Sequence, residues 1–204
     1  MITIVDYGMG NLGSVLNMFK KVGVEAEISS NPNNIKNAKK ILLPGVGAFD
    51  AAMSRINSIE GLLETLNHKA LIEKVPVLGI CLGMQLLTKG SEEGVLPGLG
   101  WIEGSTYHFK GKIDDNLRIP HMGWNTVNIC KKIPITNGFS GEVRFYFVHS
   151  YFVKVENEVH SLMKTKHGVE FDSAVIKDNI IGAQFHPEKS HKFGMQLFKN
   201  FATL

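Results

Sequence analysis

Apolar residues fall in short unbroken runs through the first half of the chain, and in turn-punctuated runs through the second. "ITIVDY" (residues 2–7) predicts a buried strand, and "NLGSVLNMFKKVG" (11–23) predicts a helix with Leu12, Val15, Leu16 and Phe19 on one face. "VEAEIS" reads as a second strand and "KKILLPGVGAF" as a third, broken by Pro44 and Gly45. Residues 59–73 predict a helix, "VPVLGIC" a fourth strand, and "LGMQLLTKG" the helix that follows it. Strands of continuous apolar residues alternating with helices indicate a parallel sheet covered on both faces.

From residue 101 to 176 the pattern turns to β structure: "YHFKG", "WNTVNI", "VRFYFVHSYFVKV" and "FDSAVIK", with turn signals at Asn137-Gly138 and Asp178-Asn179. "NIIGAQFHPE" predicts a last buried strand, and residues 190–202 a closing helix with Phe193, Leu197 and Phe201 on one side. No linker, repeat or low-complexity tract interrupts the 204 residues, so one domain over 1–204 is expected.

Composition changes this picture little. An apolar content of 44% and a charged content of 20% are ordinary for a globular chain. The net charge of +3 comes from scattered lysines with no interleaved aromatic stripe, so no nucleic-acid partner is expected. Two cysteines, Cys81 and Cys130, make no disulfide framework and suggest a reducing compartment. The N-terminal apolar run stops at Asp6 and has no basic segment before it, and no stretch reaches the length of a membrane span. The expectation is a cytoplasmic protein with no membrane partner.

The candidate chemistry lies at "PVLGICLGMQLL" (76–87), where a strand gives way to a helix at Cys81. Glycines stand two residues to either side, at 79 and 83. A nucleophile on a sharp strand-to-helix turn is lifted clear of the sheet, and side chains at those two places would strike backbone. A buried packing cysteine is the plain alternative. Cys130, in the polar "VNICKK", is read as structural.

A thiol needs a base, and the base needs a group to orient it. His186 in "IIGAQFHPEKS" follows an apolar strand, and Glu188 comes two residues later across Pro187, so both can point the same way. His149, in "YFVHSYF", is the rival base but has no carboxylate near it in sequence. A metal held by His186, Glu188 and His191 fits poorly, because a helix starts between them; no metal or cofactor is expected. In "LLPGVGAF" (42–49), glycines after a strand leave backbone N–H groups for a ligand, and with the N–H of Leu82 they could form an oxyanion hole. "GMGNLG" (8–13) also fits the dinucleotide fingerprint, with Glu25 and Glu27 loosely placed for a ribose, and keeps a nucleotide-binding module open as an alternative. A cysteine hydrolase of the same general fold, such as a peptidase, is another.

"LLPGVG", "GICLGMQLL" and "QFHPEKS", in that order, resemble the class I (triad) glutamine amidotransferases. "PHMGWN" (120–125) and "YFVHSY" (146–151) place the resemblance with the glutaminase subunits of imidazole glycerol phosphate synthases, over essentially the whole chain. The resemblance implies a flavodoxin-like three-layer α/β/α sandwich with a mainly parallel central sheet and an added β-rich segment. It implies Cys81 as nucleophile, His186 as general base and acid, and Glu188 as its orienting partner. Gly45, Val46, Gly47 and Leu82 would line the oxyanion and glutamine site, and the Gln85 side chain with backbone around Gly47, Ser150 and Tyr151 would hold glutamine. Asn11, Met122, Trp124, Tyr146 and Lys189 would face a HisF-like (β/α)8-barrel synthase subunit in a heterodimer of the histidine pathway. A paralogue feeding ammonia to an enzyme that aminates cell-surface sugars carries the same motifs, and stands as the alternative.

Overall fold

The computed structural model describes residues 1–204. Five strands form the parallel part of its sheet: β1 (Ile2–Val5), β2 (Ala26–Ser29), β3 (Lys40–Leu43), β4 (Val77–Ile80) and β12 (Ile180–Ala183), in the order β2-β1-β3-β4-β12. That is the doubly wound order whose ligands bind beyond the carboxyl ends of the strands.

Alternate strand residues feed two cores. Ile2, Ile4, Leu42, Leu78 and Ile80 pack with Val15 and Phe19 of α1 (Leu12–Lys21) and with Leu197, Phe198 and Phe201 of the closing helix α6 (His191–Thr203). Val5, Ile41, Leu43 and Val77 face the other way. They meet Phe49, Ala52, Met53 and Ile56 of α3 (Phe49–Ser58) and Leu62 and Leu66 of α4 (Leu62–Asn67). Every one of these strand residues is at most 2% exposed, as two covered faces require. The short α2 (Pro32–Ile35), capped by the Asn31 side chain, and α5 (Leu82–Leu86) complete the helices of this half.

The remaining strands are antiparallel. β11 (Val169–Lys177) joins β12 through the Asp178-Asn179 turn, with Asp178 at φ +51°. Beyond it lie β10 (Ser161–His167) and β7 (Asn128–Ile129), while β9 (Tyr151–Val155) pairs with both β11 and β5 (Gly104–His108). A separate two-stranded ribbon, β6 (His121–Thr126) with β8 (Arg144–His149), sets His121 opposite His149 and Trp124 opposite Tyr146. The fold is therefore α/β with a largely parallel central sheet and an added antiparallel segment, as expected.

The structure adds to the sequence pattern or departs from it in four places. The β-rich run at 143–155 holds two strands, β8 and β9, parted at Ser150. Helix α3 was not expected, although Phe49, Ala52, Met53 and Ile56 repeat at i, i+3, i+4, i+7; Gly45 and Gly47 just upstream disguise its start. The helix over 59–73 begins only at Leu62 and passes into a π-helical turn at His68–Ile72, and β10 is a further strand beside the more apolar β11.

Candidate active site

Cys81 stands at the carboxyl end of β4 and caps α5. Its φ of +54° and ψ of −109° lie outside the comfortable regions for a residue with a side chain, so the turn is strained, as a nucleophile elbow requires. Close packing forces glycine on both sides of it. A Cβ on Gly79 would sit 2.6 Å from the Gly83 carbonyl oxygen, and one on Gly83 only 1.9 Å from that of Leu43. The Cys81 N–H bonds to the Ala183 carbonyl at 2.7 Å, which ties the elbow to β12.

Strand β12 brings the second group. His186, three residues past its end, lines the same cavity of about 340 Å³ as Cys81. Its Nδ1 lies 2.8 Å from Glu188 Oε1, and its Nε2 has no hydrogen-bond partner within the chain. Burial works against a charged imidazole here, but the Cys81 sulfur and the Glu188 carboxylate outweigh it and raise the His186 pKa to about 10. The three side chains expected to act together are brought together.

Val46, Gly47, Leu82, Gln85, Ser150 and Tyr151 also line this cavity. Gly45 does not: it lies behind the wall, where an added Cβ would meet the Tyr7 hydroxyl at 2.5 Å and Leu82 at 3.0 Å. Gly47 takes φ +115°, open to glycine alone. The buried Tyr7 hydroxyl donates to the Pro44 carbonyl at the head of this segment, a contact not evident from the sequence.

His149 lines the cavity as well, yet it is no rival base. Its Nδ1 is 2.7 Å from the Tyr151 carbonyl, its Nε2 is 2.9 Å from His121, and burial pushes its pKa down to about 3. Gln184, 0% exposed, donates Nε2–H to the Cys81 sulfur at 3.7 Å. Reading the residues one by one missed His121 and Gln184, because their roles depend on strand register.

The five positions expected at a partner face gather near this end of the sheet. Met122 is 62% and Trp124 40% exposed on β6. Trp124 packs edge-on to Tyr146 at 6.3 Å, and the exposed Lys189 holds its ammonium 5.7 Å from the Tyr146 ring. Asn11 caps α1, accepting from the Ser14 N–H at 3.2 Å, and α1 packs against the Pro187–Lys189 turn. His191 stacks on Trp124 at 5.6 Å, away from the His186–Glu188 pair. In the glycine turn, a Cβ on Gly8 would meet the Arg55 guanidinium at 2.3 Å and one on Gly10 would touch Gly45 at 3.4 Å, while Gly13 faces open space.

The cysteine elbow faces a histidine–carboxylate pair just past the end of the neighbouring strand, and residues 3–203 match the class-I glutamine amidotransferase family model. The chain belongs to that family and is an enzyme of the glutaminase type. It is 53% identical over 201 residues to "Imidazole glycerol phosphate synthase subunit HisH 2" of Methanococcus maripaludis, covering 98% of each chain. To the HisH 2 subunit of Pseudomonas aeruginosa it is 48% identical, with both chains fully covered. The fold matches a crystal structure of a glutamine amidotransferase over 100% of both chains, at TM-score 0.75 and 17% identity. It also matches PurLQS from Thermotoga maritima over 99% of this chain and 97% of that one, at TM-score 0.74 and 16% identity. No helix is long and apolar enough to cross a membrane.

Proposed function

We propose that this chain, as one amidotransferase domain over residues 1–204, is the glutaminase subunit of an imidazole glycerol phosphate synthase. It hydrolyses glutamine through Cys81, His186 and Glu188 and works in the cytoplasm. The observation that carries this is the single cavity that Cys81 shares with His186, whose other nitrogen is held by Glu188. The relatives that match the whole chain bear that subunit's name.

The geometry orders the chemistry. The Cys81 sulfur, as thiolate, attacks the amide carbon of glutamine. Backbone N–H groups of Val46, Gly47 and Leu82, which line the cavity, hold the oxyanion. The imidazolium of His186 gives its proton to the leaving nitrogen, and ammonia departs, leaving a thioester on Cys81. Neutral His186 then takes a proton from water, hydroxide adds to the thioester, and glutamate leaves as the sulfur is released. Ammonia is mostly protonated in neutral water and useless there as a nucleophile, so it passes internally to a HisF-like (β/α)8-barrel subunit docked on the Met122–Trp124–Tyr146–Lys189 face and Asn11. The Gly45–Gly47 segment holds low activity until that partner is loaded.

A strain lacking its own HisH tests the reading. The wild-type gene, supplied with its cognate barrel subunit, restores growth without histidine, and Cys81→Ala does not. Growth with both genes, or with neither, overturns the proposal.

A further inference from the structure

A line of hydrogen-bonded polar groups that the triad chemistry does not use runs from a half-buried amide to the cavity wall at His149, Tyr151 and Gln85. It begins at Asn125 on β6. The Asn125 Oδ1 accepts from the Thr126 N–H at 2.8 Å, and its Nδ2 donates to the Lys166 carbonyl at 3.0 Å, so two backbone groups fix which end of the amide is which. The second hydrogen on Nδ2 then points at His121 Nε2, 3.0 Å away, which must be an acceptor. His121 therefore carries its proton on Nδ1 and donates to His149 Nε2 at 2.9 Å. His149, an acceptor at Nε2, carries its proton on Nδ1 and donates to the Tyr151 carbonyl at 2.7 Å. A carbonyl at one end and an oriented amide at the other leave one arrangement of protons, with both rings neutral.

The line continues past Tyr151. Gln85 Nε2 donates to the same carbonyl at 3.3 Å and to Gln184 Oε1 at 3.2 Å, which turns the Gln184 Nε2–H toward the Cys81 sulfur. Neighbouring rings enforce the arrangement. His121 stacks between Phe147 at 4.8 Å and His167 at 4.3 Å, and His167 spends its Nε2–H on the Arg118 carbonyl. The His149 ring lies among Phe109, Phe147 and Phe171 at 5.3–5.6 Å.

We propose that His121 and His149 are positioning residues of the glutaminase reaction, whose fixed tautomers hold the Ser150–Tyr151 backbone and Gln85 in the geometry that receives the amino-acid end of glutamine. Neither ring exchanges a proton with substrate. This rests on the reading of the cavity as a glutamine site.

Two electrophiles applied to the full-length chain bound to its cognate barrel subunit, loaded with that subunit's ligand, separate the roles. Iodoacetamide reads only the sulfur and its base. The glutamine-shaped diazoketone 6-diazo-5-oxo-norleucine must also be held by its α-amino and carboxylate groups. In His149→Phe, which keeps a ring among the phenylalanines, diazoketone labelling of Cys81 should slow by about tenfold to a hundredfold while iodoacetamide labelling changes less than about threefold. His149→Asn restores a donor near the Nδ1 position and should recover most of the diazoketone rate. Asn125→Ala, at a half-buried site, should show the same split at smaller size, and it stands in if His149→Phe does not fold. Equal loss of both rates, no loss of either, or no recovery in His149→Asn overturns the inference. Failure of the wild-type chain to react with the diazoketone at all would instead overturn the glutaminase reading.

Discussion

His186 and Glu188 are separated by one proline, yet their side chains meet directly. Nδ1 lies 2.8 Å from Oε1, with each side chain only 3% exposed. The Pro187–Lys189 turn folds the carboxylate back under the ring, so the imidazole carries a proton on Nδ1 and presents Nε2 toward the cavity. A buried carboxylate beside it also stabilises the imidazolium, the form that protonates the leaving nitrogen in the proposed reaction.

Glu188→Gln keeps an acceptor for Nδ1–H and removes the charge. Glutamine turnover should fall roughly 10²–10⁴-fold, with KM changed by only a few fold. Steady-state assays of glutamate release check it. A variant with unchanged kcat would mean that the carboxylate only supports the fold.

The same residue type responds in opposite senses at two positions of this site, and stability against pH should show it. His186 has a folded pKa of about 10, above its ordinary 6.5. Its stabilising contribution is complete below pH 6.5 and is lost as pH rises from 6.5 to 10. His149 is pushed down to about 3, so its neutral form favours the fold above pH 6.5, and that contribution is lost as pH falls toward 3. Between about pH 6 and 4 the wild-type chain should lose up to about 1.4 kcal/mol per pH unit more than His149→Asn. Urea unfolding across that range measures the difference, and parallel curves for the two proteins would refute it.

The elbow tolerates no side chain at position 83, since an alanine Cβ would lie 1.9 Å from a carbonyl oxygen in β3 and the obstacle is backbone rather than a movable side chain. Gly83→Ala should cost about 3 kcal/mol or more, or give no soluble protein. Gly23→Ala, where nothing lies within 4 Å but φ is +75°, should cost only about 1 kcal/mol. Thermal melting of the pair compares steric collision with backbone strain.

Much of this site was readable from spacing alone. Gly79-Ile80-Cys81-Leu82-Gly83 marks the elbow because the steric demand is local, and His186-Pro187-Glu188 marks the base because proline restricts the turn between them. The His121–His149 contact was not readable. It depends on β6 and β8 pairing with 121 opposite 149, and register over such a distance leaves no mark in either segment. The parallel half of the sheet was legible because both faces are covered and its strands are continuously apolar. In the second half, one apolar run hid two strands, because the break at Ser150 involves neither glycine nor proline.

Tyr7 grips the 44–47 segment from below, where its hydroxyl donates to the Pro44 carbonyl and both are shut off from water. Tyr7→Phe keeps the ring and leaves that carbonyl unpaired. The change should lower stability by about 1–3 kcal/mol. It should also alter kcat for glutamine more than it alters iodoacetamide labelling of Cys81, since only the former needs the 45–47 backbone in register. Equal changes in both would confine Tyr7 to a packing role.

Trp124 is 40% exposed on β6. Its indole stacks nearly parallel on His191, with planes 12° apart, and stands edge-on to Tyr146, itself under the Lys189 ammonium. A large ring held in place by its neighbours loses little freedom when a partner covers it, which is what distinguishes an interface hot spot from an ordinary exposed aromatic. Trp124→Ala should weaken binding of the barrel subunit by about 2–4 kcal/mol, roughly thirtyfold to a thousandfold in Kd. Diazoketone labelling of the isolated chain should stay as it was, because Trp124 does not line the cavity. Calorimetric titration with the partner, run beside the labelling assay, tests both halves. Unchanged affinity would place the docking surface elsewhere on the molecule.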